Sequence, residues 1–223
     1  SRIMKLIGML KRCAAGLCAA AILAGGVPAL ALDPASAAPA ELETTNASAA
    51  ALNTILSKFD VTYVEQADGW RLDSPYESAS DEAHSCGVYP YLDISNADST
   101  IAIELGMTYS GTRKLDMKTV SVETEDAVYT FNCDDQFGGG YDQKNGIWFD
   151  FEIFDMDEDV DWMREWLKAK NVMATFIGRD GTRQDYPLTK DNLTAIREVL
   201  DAYDQILSSD AFTVKAALRS AAK

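Results

Sequence analysis

Histidine occurs once in 223 residues, at position 84. A single histidine cannot build a multi-histidine metal site. It also leaves any Ser-His-Asp arrangement with one possible centre, and no G-x-S-x-G element accompanies it. His84 stands two residues before Cys86, too close in a loop to make the side-chain contact a Cys–His nucleophile pair needs. Bases are scarce as well: 20 Lys and Arg stand against 35 Asp and Glu. No basic patch with interleaved aromatics exists, which excludes nucleic acid as a partner. Cysteine is limited to four residues with no C-x-x-C spacing, so neither a zinc ribbon nor a dithiol redox centre is written here. The longest uncharged apolar stretch is Cys13 to Leu32, and it is diluted by Ala and Gly.

That stretch follows Arg2, Lys5, Lys11 and Arg12 and closes on Ala29-Leu-Ala31. A basic end, an apolar middle and a small-x-small close form the order of a secretory signal peptide over residues 1–31. Only Leu17, Ile22, Leu23, Val27, Leu30 and Leu32 are strongly apolar, which disfavours a retained membrane anchor. The mature chain is therefore expected to be secreted or held in the cell envelope, with no membrane association after cleavage. Losing the four bases and no acid takes the net charge from −15 to −19. Residues 32–51, rich in Ala, Ser, Thr, Pro and acids, read as a flexible spacer before one globular domain over 52–223.

Cys86 and Cys133 remain after cleavage, and an even pair in an exported chain predicts a disulfide. Closing a loop of about 48 residues is worth roughly 3–5 kcal/mol if unstrained.

Periodicity sets the fold expectation. Asn46 is read as the cap of a first helix carrying Leu52, Ile55, Leu56 and Phe59 at one-face spacing. Val61–Glu65 and Trp70–Leu72 flank Asp68-Gly69 and form a hairpin. Period-two runs follow around Tyr89–Leu92, Ile101–Tyr109, Thr119–Glu123, Val128–Phe131 and Ile147–Ile153. Helical period returns at Glu158–Lys170. A strand pair, Val172–Ile177 and Gln184–Leu188, then precedes a long helix capped by Thr189. A short helix is expected over Ala211–Ala222. The sum is an α+β fold: an antiparallel curled sheet, or a two-layer β-sandwich, with two or three packing helices. In a flat meander Cys86 and Cys133 would lie three strand spacings apart, so a bridge requires curling or splitting of the sheet.

Acidic segments supply the site candidates. Asp155-Met-Asp-Glu-Asp-Val-Asp161 resembles the opening of a calcium loop, but Val160 and Trp166 stand where that loop needs Gly and Glu. Acids there suit a helix start. The loop from Asp134 to Asp142 combines Asp134, Asp135 and Asp142 with two aromatics and three glycines, and is the candidate ligand or calcium loop. No other cofactor is indicated. Asp150 and Glu152 lie on one strand face, about 7 Å apart, and are expected to form its wet side. A carboxylate-based, calcium-assisted exported hydrolase would use these acids. An inhibitor-type protein would use 134–146 as a protruding loop. The preferred expectation is a non-enzymatic exported binding domain with a protein or glycan partner.

The C-terminal half resembles a loose set of exported proteins and lipoproteins from anaerobic, mainly Gram-positive bacteria without assigned function. The shared features are Ser121-Val-Glu-Thr-Glu-Asp-Ala-Val-Tyr-Thr-Phe, a Trp-containing helix, Val172-Met-Ala-Thr-Phe-Ile-Gly-Arg-Asp-Gly, Asp185-Tyr-Pro-Leu-Thr and Leu200-Asp-Ala-Tyr-Asp-Gln-Ile. These are strand, turn, cap and helix motifs, and the resemblance implies no catalytic residue.

Overall fold

A computed structural model of the chain describes residues 39–76, 85–135 and 138–222. The leader, Cys13, Cys18 and His84 lie outside the described residues. Helix α1 (Pro39–Leu56) leads into strands β1 (Asp60–Val64), β2 (Gly69–Asp73), β3 (Ser85–Ser95), β4 (Ile101–Gly111), β5 (Met117–Glu123), β6 (Val128–Asn132), β7 (Gly138–Lys144) and β8 (Ile147–Asp155). Helix α2 (Val160–Trp166), β9 (Met173–Gly178), β10 (Arg183–Pro187), α3 (Lys190–Leu207) and α4 (Ala211–Ala221) complete the order.

The fold is α+β, built on two antiparallel sheets. One has six strands in the order β1-β2-β3-β4-β8-β7, and the other four in the order β10-β9-β5-β6. The expected meander therefore splits after β4. The chain crosses to the second sheet for β5 and β6, returns as the β7–β8 hairpin, and sets β8 beside β4.

Two segments differ from expectation. Helix α1 starts at Pro39, inside the anticipated spacer, and Asn46 is interior to it. Proline at a helix start is pre-organised, and the Ala, Glu and Leu that follow are strong helix formers. Gly138–Lys144, expected as loop, is a strand. Its register is imposed by the tight turn at Asn145-Gly146, both at positive φ (55° and 79°).

The core lies between the inner face of the six-stranded sheet, the helices and the second sheet. Val61, Leu72, Val88, Leu92, Ile103, Leu105, Met107 and Phe154 form the inner face. Phe154 meets Phe131 of β6 at 4.9 Å between ring centroids, joining the sheets. Trp166 of α2, fully buried, lies 5.9 Å from Tyr129 and 6.2 Å from Phe131. Thr189 and Asn192 cap α3 reciprocally, as the sequence predicts for Thr189. Asn192 is itself buried. It accepts from Tyr186 Oη at 2.8 Å and donates Nδ2 to the Val88 carbonyl at 3.0 Å, tying α3 to β3.

Candidate functional site

Buried charge lies on the two faces of the six-stranded sheet, and the larger group is one that sequence reading does not single out. On the outer face, Arg71 of β2 stands opposite Asp93 of β3 and donates Nε and Nη2 to its two carboxylate oxygens, both at 2.8 Å. The guanidinium carbon lies 4.3 Å from the Tyr91 ring centroid. Tyr91 donates its hydroxyl to Glu104 of β4 at 2.7 Å. The next register row runs Asp60, Asp73, Tyr91, Glu104, Asp155 across five strands, four carboxylates and one phenol. Arg71 and Glu104 are each 4% exposed, and Asp73 and Tyr91 are also buried. Burial acts to lower the Arg71 pKa, but the Asp93 carboxylate outweighs it, so the guanidinium is held cationic. Burial, followed by the Glu104 charge, pushes the Tyr91 phenol well up, so it stays a hydrogen-bond donor. The sequence signal was a lone charge inside an apolar strand: Trp70-Arg-Leu, Leu92-Asp-Ile and Ile103-Glu-Leu. Period two places those residues on a polar face. Only strand register shows that they meet.

The inner-face group contains Asp150 and Glu152. They share a face, as the spacing predicts, but that face is the inner one. The expected wet side is corrected. Asp150 is 2% exposed, and its Oδ2 accepts the backbone N–H of Asp116 from the β4–β5 connection. Among the described residues nothing donates to its Oδ1. Burial pushes the Asp150 carboxyl up from its usual value. A raised carboxyl pKa means the fold favours the neutral acid. That contribution is full below the unfolded-state pKa and is lost as pH rises through the folded one. Asp150→Asn is therefore expected to gain thermal stability relative to the parent chain as pH rises from acid to neutral. Paired melting curves across that range check this. A constant or shrinking difference contradicts it. Glu152 extends toward β7, where its carboxylate fills the space a Cβ on Gly139 would need.

The three loop acids do not form one site. Asp134 is ion-paired to Arg179, which holds its carboxyl below the usual range and also approaches Asp116 at 3.8 Å. Asp135 closes the 3-10 turn after β6. Asp142 lies on the opposite face of the large sheet, opposite Phe149, and accepts the N–H of Gln143 at 2.7 Å. The anticipated ligand loop is in fact an ion-paired turn followed by an edge strand. Among the described residues, no group of three or more His, Cys, Asp or Glu is arranged to hold a metal ion.

The expected Cys86–Cys133 bridge is corrected too: both residues are free thiols. The sheet splits, as a bridge would require, yet each thiol has its own set of neighbours. Cys86 is buried in β3 opposite Tyr109, well inside the large sheet. Cys133 follows β6, an edge strand of the other sheet, among Glu152, Asp134 and Arg179. Burial pushes each thiol up to about 12, aided at Cys133 by the Glu152 and Asp134 charges. Thiols this weakly acidic react slowly, because the thiolate is the nucleophile. Alkylation at neutral pH is expected to modify neither cysteine in the folded protein and both after unfolding, without reductant. An intact mass that rises on reduction alone would contradict this.

No protein-family model, no curated protein and no solved structure matches this chain.

Proposed function

We propose that this chain is a non-enzymatic exported domain that acts by surface binding in the bacterial cell envelope or medium. The export reading rests on the basic, apolar, small-residue order of residues 1–31 and the acidic mature composition. One observation carries the binding reading over a carboxylate hydrolase. The acids best placed for hydrolysis are committed to structure: Asp150 is buried with an oxygen on the Asp116 N–H, Asp134 is paired to Arg179, and Asp142 faces the other way. Hydrolysis of a glycoside needs two carboxyls flanking a substrate. The alternative, an exported hydrolase, draws its support from Asp150 and Glu152 sharing one face and from the raised Asp150 carboxyl.

Co-sedimentation tests the proposal. The chain from Leu32 onward is mixed with isolated envelope, comprising wall glycan with its attached proteins, and pelleted. Saturable retention is the expected result. Recovery of the chain wholly in the supernatant across the concentration range contradicts the reading.

A further inference from the structure

The six-stranded sheet ends on β7, whose outer edge pairs with no strand among the described residues. It is also the longest sheet edge described: seven residues, against five each for β1, β6 and β10. Natural edges are blunted by brevity, proline or charge, and β10 has both brevity and Pro187. In a two-residue hairpin the residues flanking the turn exchange both backbone hydrogen bonds, and the pattern then alternates. With Lys144 paired to Ile147, the groups of Lys144, Asp142 and Gly140 point to β8. Those of Gly139, Tyr141 and Gln143 point outward. Among the described residues no strand pairs with the N–H and C=O groups of these three.

Side chains beneath the glycines give this edge a chemical preference. Gly139 has no Cβ, and the Glu152 carboxylate reaches from β8 into that space, toward the open edge. On the opposite face Gly140 lies against the buried Phe151 ring; a Cβ there would sit 3.4 Å from it. Two positions along, on the Glu152 side, Lys114 stands 3.3 Å over the Tyr141 ring. An added strand therefore meets a carboxylate opposite Gly139 and a cation at Tyr141.

We propose that β7 is a docking edge for an extended segment of another polypeptide that places a Lys or Arg opposite Gly139. Backbone pairing supplies the attachment, and alternate side chains supply selectivity. Lys114 disfavours the register that sets the base opposite Tyr141. A carboxylate accepts several donors at once, so Glu152 takes the incoming base in addition to its present contacts. The chain's net charge of −15 draws in the same class of partner. The inference deepens the binding reading and rests on it.

The test uses two capped synthetic peptides of alternating apolar residues, one centred on Val-Lys-Val and the other on Val-Glu-Val. Titration followed by amide hydrogen exchange is the readout. The Lys peptide is expected to slow exchange at Gly139, Tyr141 and Gln143 and to bind roughly tenfold tighter than the Glu peptide. Glu152→Gln should erase that preference while leaving binding. Gln143→Pro, which removes one outward N–H on an exposed edge, should abolish both. Four results overturn the proposal: no protection of these amides by either peptide, equal affinity for the two in the parent chain, binding indifferent to Gln143→Pro, or β7 protected by self-association instead. Should Gln143→Pro fail to fold, the exchange pattern of the parent chain still decides. Envelope retention without peptide binding would overturn the docking edge and leave the binding reading standing.

Discussion

Arg71→Ala is expected to destabilise the domain by about 3–5 kcal/mol, the cost of breaking a buried ion pair from one side. The side chain is 5% exposed and makes two 2.8 Å bonds to Asp93, so truncation leaves a carboxylate without its fork in a poorly hydrated place. Asp73, near the same guanidinium, loses its charge as well. Each kcal/mol lowers the melting temperature of a domain this size by roughly 2–4 °C, so a fall of about 10 °C is expected. Arg71→Lys keeps the charge and loses the two-pronged geometry, and should fall between. A loss near zero at neutral pH would show that the cluster does not hold the sheet.

Trp166→Ala should cost a similar amount for a different reason. The indole is fully buried at the seam of the two sheets, against Tyr129 and Phe131, and its Nε1 has no hydrogen-bond partner among the described residues. The cost is therefore one of packing: removing a large aromatic from a closed core costs about 3–5 kcal/mol. Trp166→Phe keeps most of the ring contact and deletes the unsatisfied N–H, whose burial is itself unfavourable. It should cost much less than the alanine change. Chemical denaturation of both variants checks the ordering; equal losses would contradict a packing origin.

Much of the fold was legible because strand and helix periods differ. Ile101–Tyr109 and the α3 stripe from Leu193 to Leu207 each carried one period long enough to read. Thr189 marked its helix start by chemistry. The β7 strand was not legible: three glycines give no side-chain period, and its pairing is imposed by β8 through the Asn145-Gly146 turn. The orientation of β8 was misread because both its faces are partly buried. Ile147, Phe149, Phe151 and Ile153 alternate cleanly, yet they lie on the outer side with Asp150 and Phe154 turned in. Alternation separates two faces without saying which is inside. The Arg71–Asp93 and Tyr91–Glu104 contacts join residues 22 and 13 positions apart, and their meeting follows from pairing register. The cysteine pair shows the converse. Parity and compartment argued for a bridge, and the division into two sheets placed each thiol among other neighbours.

The proposed binding role requires that the acids of this chain leave a substrate uncleaved. Incubating the chain with purified envelope glycan and measuring soluble saccharide ends tests it most directly, with Asp150→Asn and Glu152→Gln run beside the parent. The account predicts release no greater than in buffer for all three proteins. Release by the parent chain that either substitution abolishes would contradict it.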